Sequence, residues 1–251
     1  MPFPLAGECA TLEASLGRVH PGGLIKLLAL SAPLPIAIAA AVVILSLATT
    51  LGMTLQEREH YFSEEGPVEF VTAGVLLAAA ASIALGALLT KSKLFCLHSA
   101  VIYIIMGLRE LDFQNRFTET GVLRTSYFVR REAPIVETIV VGGILLFVFI
   151  ALVTYAVRYF PLFWKGTFAG VRWVWFVGVG MAFLAASQSV DRAGYWLTRS
   201  ESGPKIPIET IHSAEEPLEL AGATLLLIST WLYIRWVRRG EALQQRPSVN
   251  R

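Results

Sequence analysis

Six long apolar runs, at about residues 34–54, 67–90, 94–111, 134–157, 171–190 and 217–237, dominate this chain. Each approaches or exceeds the roughly 18 residues that mark a membrane-spanning helix candidate. A backbone that enters hydrocarbon must satisfy its own N–H and C=O groups, which leaves helices or a closed barrel, and uninterrupted runs of this length select helices. With 55% hydrophobic and only 16% charged residues over 251 positions, a soluble domain is excluded. The expected fold is an all-α integral membrane bundle of six transmembrane helices. Residues 1–33 form a tail and interfacial lead-in, 34–237 the six-helix domain and 238–251 a basic tail. Membrane lipids are the expected surroundings, and no nucleic-acid partner is expected.

The first run follows a tail with little positive charge and is long for a cleavable signal, so it is expected to stay as an anchor. Pro33 and Pro35 interrupt any helix that begins at Leu24. Cys9 and Cys96 have neither metal nor redox spacing.

Positive charge orients the bundle. With both termini cytoplasmic, the inner segments hold 12 of the 21 basic residues, mostly in short turns where the positive-inside rule applies. The same arrangement leaves 16 of the 19 acidic residues on the outer side. Carboxylate chemistry is therefore expected at the outer face. The arginines of residues 109–131 lie on that side too, placed either to pair with these acids or to hold a lipid or substrate phosphate.

Self-similarity sharpens the pattern. The starts of the even-numbered runs read EEGPVEF from Glu64, EAPIVET from Glu132 and EEPLELA from Glu215: a Glu, a Pro, then a second Glu deeper in the helix. Fainter echoes precede them, EREHYF from Glu57 and DRAGYW from Asp191. Three helical hairpins with a weak internal repeat are expected. Proline and an outer acid suit a first helical turn, which accounts for Glu65, Glu132 and Glu216 structurally. The deeper acids, Glu69, Glu137 and Glu219, are costly in a membrane unless paired or hydrated, so they are the candidate catalytic groups.

On the sixth run, His212, Glu215, Glu216 and Glu219 have helical spacing. Joined by Glu65, Glu69, Glu110, Asp112, Glu137 and Asp191, they form a candidate metal site of oxygen ligands. Such ligands suit Mg²⁺, Mn²⁺ or Ca²⁺ better than Zn²⁺. Carboxylate-bridged sites of helical bundles carry Glu-x-x-His on two helices, which this chain lacks. Arg109, Arg116, Arg124 and Arg192 are the candidates for binding an anionic head group. Ser187 and Gln188 add polar groups at the same depth. No Gly-rich phosphate loop, nucleophile elbow or H-E-x-x-H pattern occurs. His98, twelve residues before Glu110, is expected to pack rather than to join the cluster.

The stretch RELDFQNRFTETGVLRTSYF, residues 109–128, has an Arg-Glu-x-Asp helix end, an aromatic and a following Phe-Thr. In this it resembles a group of bacterial multi-pass inner-membrane proteins with no assigned activity. The resemblance implies a bacterial inner membrane and supplies no chemistry. Residues 113–128 are expected to cover the cluster as a lid or interfacial helix, with the loop 197–214 as its other wall.

Three functional readings stay open at this level. In the first, the outer cluster binds a divalent cation and acts on a lipid-linked or amphiphilic substrate, with Glu69, Glu137 and Glu219 as ligands or acid/base groups. In the second, it is the proton or cation site of a small transporter or channel, against which stands the scarcity of ionisable groups in the inner halves of the runs. In the third, the protein is a non-catalytic membrane scaffold.

Overall fold

The computed structural model describes residues 33–62, 66–90, 92–111, 135–199 and 208–244, without the side chains of Leu55, Glu59, 135–137, 195–199, 208–212 and 240–244. Among these residues the chain is all helical: α1 Pro33–Ala48, α2 Leu55–Tyr61, α3 Pro67–Leu89, α4 Lys93–Glu110, α5 Ile135–Phe168, α6 Arg172–Arg199 and α7 Ile208–Gln244. Four contain segments long and apolar enough to cross a membrane: Pro67–Leu89, Thr138–Phe168, Arg172–Gly194 and Ser213–Arg239. The first apolar run yields a shorter helix of 16 residues, α1, and the third yields α4, whose 18 residues include Lys93, Arg109 and Glu110.

Helix α7 is the hub. It packs along α6 and α3, and less extensively on α1, while α3 packs on α4. Packing inside a membrane gains little from removing apolar surface from lipid, so close contact between small residues and buried hydrogen bonds carries more weight. The interfaces show this. Ala221, Gly222 and Ala223 of α7 are buried, and a Cβ built on Gly222 would lie 2.9 Å from the Gly180 carbonyl of α6. Helix α3, which packs against α7 and α4, buries Ala73, Ala79 and Ala80.

Helix α5 lies at the other extreme: half of the apolar window of α7 is buried, but none of that of α5. Ile139, Ile144, Phe147, Phe149 and Val157 are all more than half exposed. A helix that is apolar on every side and has so little protein around it is stable in lipid, not in water. Its C-terminal half carries the packing seen among the described residues. Tyr155, Tyr159 and Phe163 recur at helical spacing and enter an aromatic cluster with Phe95, Trp173, Tyr233 and Trp236. Within it, Phe95 meets Tyr159 edge-on at 4.9 Å and Tyr233 at 4.8 Å between ring centroids, separations at which ring pairs attract beyond the area they bury.

Several boundaries differ from expectation for physical reasons. The first apolar run stops at Ala48 and turns at Gly52, whose φ of 93° suits a residue without Cβ. The EREHYF segment becomes α2, opened by a capping box. The Thr54 hydroxyl accepts from Glu57 N, while Glu57 Oε2 accepts from Thr54 N at 2.7 Å. The fourth run continues through its basic segment to Phe168, because Tyr159, Leu162 and Phe163 have buried partners there. Gly170, at φ 66°, then reverses the chain into α6.

The hairpin expectation is met only in part. Helices α6 and α7 do pack as a pair, but α3 makes its main contacts with α4 and α7, and α1 with α7. The expectation that Pro opens each even-numbered helix holds for Pro67, at the start of α3 behind Gly66. It fails for Pro217, which lies inside α7, a helix that begins at Ile208. Much of the expected loop 197–214 is thus helical, with 208–214 belonging to α7. Glu215 and Glu216 consequently occupy a helix interior and do not cap a first turn. Pro134 and residues 112–133, including the expected lid, lie outside the described residues.

Candidate functional site: an acid cluster around Arg109

Arg109 ends α4 and reaches α7. Its Nη2 donates to Glu219 Oε1 at 3.0 Å and lies 3.2 Å from Oε1 of Glu110, the neighbouring residue. The same Glu219 oxygen accepts from Gln188 Nε2 at 2.9 Å and from Ser187 Oγ at 3.0 Å, both on α6. Ser187 also donates to the Leu184 carbonyl at 2.8 Å, so its single proton is shared between two acceptors. One carboxylate oxygen therefore gathers donors from two helices beside its own.

Local sequence explains this convergence. Ser187 and Gln188 lie two turns beyond Gly180, where α6 comes closest to Gly222 of α7, so both stay within reach of Glu219. Gly107, one turn before Arg109 and Glu110, lets α4 approach α3: a Cβ there would lie 3.2 Å from Leu77. Burial completes the site. Glu110, Glu215, Glu216 and Glu219 are at most 9% exposed, whereas the Arg109 side chain is 44% exposed. Glu110 also interacts with Glu219 and Glu216 across the α4–α7 interface. Two buried acids, Glu110 and Glu219, thus meet a guanidinium that still reaches the surface, with Glu216 interacting with Glu110 and Glu215 buried nearby in sequence on α7.

Of the residues anticipated from sequence, the structure brings together Arg109, Glu110, Glu216 and Glu219, with Glu215 buried beside them on α7. Glu69 is half-buried near the start of α3, Asp191 is half-buried on α6, and Arg192 is exposed. Glu65, Asp112, Arg116 and Arg124 lie outside the described residues, as do the side chains of Glu137 and His212. Among the described residues, no group of three or more His, Cys, Asp or Glu side chains is arranged to hold a metal ion. His98 packs as expected, its Nδ1 lying 3.1 Å from the Tyr159 hydroxyl.

Beyond the acid cluster comes an apolar layer and then a second polar region that sequence reasoning missed. The layer consists of Leu76, Ala223 and Leu226, with Met106 and Leu184 packed against it. Past it, Ser99, Tyr103, Tyr155, Ser229, Thr230 and Tyr233 line a small cavity of about 10 Å³ together with Phe95, Phe163 and Trp173. Ser99 Oγ lies 3.1 Å from the Tyr155 hydroxyl, and Tyr103 hydrogen-bonds Ser229 and Thr230. In the sequence these hydroxyls are scattered over three helices, and only the recurrence of Ser, Thr and Tyr within apolar runs hinted at them.

The fold and the site define a multi-pass helical membrane protein with a buried acid–arginine network at one end of its hub helix. Comparison with protein-family profiles, characterised proteins and solved structures yields no match to the chain.

Proposed function

We propose that this is a six-span protein of the bacterial inner membrane, both termini cytoplasmic. Its periplasmic acid cluster holds a compensating positive charge beside Arg109 and acts on an anionic, lipid-linked or amphiphilic substrate. The observation that carries this is Arg109 itself, which bridges Glu110 and Glu219 through one nitrogen while 44% of its side chain is exposed. A guanidinium has donors on three nitrogens, so one edge can position the acids while another meets a phosphate or carboxylate head group.

Arg109 brings one positive charge to Glu110 and Glu219, and low-dielectric surroundings make an excess of negative charge there costly. A proton or a cation such as Mg²⁺, Mn²⁺ or Ca²⁺ supplies the balance. A divalent ion would take further oxygen ligands from outside the described residues, with Asp112 and Glu65 the candidates. Glu69, Glu137 and Glu219 remain the proposed acid/base groups, and Arg116, Arg124 and Arg192 the proposed further contacts to the head group.

Native mass spectrometry of the protein in detergent, with phosphatidylglycerol and Mn²⁺ as probes, tests this. The wild type is expected to retain the anionic lipid and Arg109→Gln to lose it, while Glu219→Gln weakens retention of Mn²⁺. Equal retention of phosphatidylglycerol by wild type and Arg109→Gln would overturn the head-group role.

The hydroxyl-lined cavity favours a second reading, a proton-coupled transporter. It places polar groups beyond the acid cluster, where the carboxylates and bases of the sequence offered no continuation. Among the described residues, Ala223 and Leu226 of α7, packed with Leu76, lie between the two regions.

A further inference from the structure

The cavity among Ser99, Tyr155, Trp173, Ser229 and Thr230 poses a problem of hydrogen-bond accounting that is independent of the acid cluster. Trp173 is 2% exposed, and its indole Nε1–H has no hydrogen-bond partner among the described residues. A buried donor left in that state is unfavourable, and in native structures such groups are normally satisfied by protein or by ordered water. The hydroxyls across the cavity have the complementary need. Ser229 Oγ donates to the Leu226 carbonyl at 2.6 Å and Thr230 Oγ1 to the same oxygen at 3.1 Å, so both protons are committed, and beside the bonds with Tyr103 each hydroxyl oxygen keeps a lone pair that can accept. Ser99 and Tyr155 have two hydroxyl protons between them and need only one for their mutual bond.

An occupant must therefore accept from an N–H and donate to hydroxyl oxygens, and it must be small. The cavity volume of about 10 Å³ is at the lower limit of what one water molecule requires, and a polar lining with several partners separates a hydrated cavity from a dry one. We propose that this cavity is a buried water site. The water accepts from Trp173 Nε1–H and donates to the hydroxyl oxygens of α7, joining α6 and α7 to the Ser99–Tyr155 pair between α4 and α5. It ties the C-terminal half of α5 to the bundle.

Radiolytic hydroxyl labelling read by mass spectrometry, on the full chain in lipid nanodiscs, tests the assignment, because radicals formed from a bound water modify the side chains beside it. Trp173 and Tyr155 are expected to be oxidised several-fold faster than Phe147 and Trp164, which are 63% and 58% exposed on the face that meets lipid. The double variant Ser99→Ala, Ser229→Ala is expected to slow labelling of Trp173 and leave Phe147 unchanged. Labelling of Trp173 and Tyr155 in the wild type no faster than that of Phe147 would overturn the proposal, whether or not the variant folds.

Discussion

Arg109 on α4 and Glu219 on α7, 110 residues apart, meet at 3.0 Å. This contact links the third and sixth apolar runs at the end of the bundle where the acids gather. Its two partners are unequally buried, the arginine 44% and the glutamate 5% exposed. Removal of the arginine leaves buried carboxylates without their cation, a change that costs about 3–5 kcal/mol at fully buried pairs and less where solvent screens one partner. Arg109→Ala is therefore expected to destabilise the protein by about 1–3 kcal/mol. Glu219→Gln keeps a carbonyl oxygen to accept from Ser187 and Gln188 and is expected to cost less. Thermal unfolding in one detergent ranks them, and a larger loss for Glu219→Gln would refute the charge-compensation account.

A second prediction concerns helix–helix contact. Alanine ordinarily improves a helix over glycine by up to about 1 kcal/mol. At Gly222 the added Cβ would lie 2.6 Å from Leu184 Cγ and 2.9 Å from the Gly180 carbonyl, whereas at Gly142 nothing lies within 4 Å. Gly222→Ala is expected to destabilise by about 1–3 kcal/mol through overpacking. Gly142→Ala is expected to be neutral or slightly stabilising. The opposite signs, read from unfolding midpoints, test the α6–α7 crossing directly.

The capping box gives a pH dependence with a definite sign. Hydrogen bonds from the Thr54 backbone N–H and, secondarily, its hydroxyl hold the Glu57 carboxyl below the usual carboxylate range. Because the folded-state pKa is the lower one, the cap's contribution is present above the unfolded carboxylate pKa and is lost as pH falls through the folded value. Carboxyl ¹³C shifts of Glu57 are expected to titrate at lower pH in the wild type than in Thr54→Ala. The variant should recover only part of the difference, since the larger, backbone bond survives. Coincident titrations would show that the hydroxyl has no part in the cap.

Apolar run length made the helical class legible, since the spans in α3, α5, α6 and α7 follow from it. The acids were legible because a glutamate such as Glu219 is conspicuous in an apolar run. Their partners were harder to see: Gln188 and Ser187 matter because Gly180 and Gly222 bring α6 and α7 together, a relation between distant positions that no local pattern encodes. Helix ends were misjudged where tertiary contacts override a local stop. Pro217 looked like a helix start, yet α7 continues on both sides of it. The three similar starts, each a Glu, a Pro and then a second Glu, suggested equivalent hairpins, but the α3–α4 and α6–α7 pairings are set by where small residues allow approach. The hydroxyl cavity left the weakest trace, because Ser, Thr and Tyr in apolar helices usually satisfy themselves on local carbonyls, as Ser229 and Thr230 do in part.

The apolar layer supplies the test that separates transport from chemistry at the acid cluster. Along α7, Ser229 lies ten residues from Glu219, about 15 Å at 1.5 Å per residue, and Leu226, 1% exposed, lies between them. If protons pass between the acid cluster and the hydroxyl cavity, this layer is the barrier, because it offers no group to carry them. Leu226→Ser adds a hydroxyl and removes volume from the layer. In proteoliposomes with a pH-sensitive dye inside and a potential imposed across the membrane, the variant is expected to raise proton flux about tenfold, equivalent to lowering the barrier by about 1.4 kcal/mol. Adding Glu219→Gln should bring the flux back towards the wild-type rate, since the path then loses its acid. A Leu226→Ser flux equal to that of the folded wild type would exclude this route for protons. An increase that survives Glu219→Gln would mark a nonspecific leak and leave the acid cluster to its proposed role at the lipid head group.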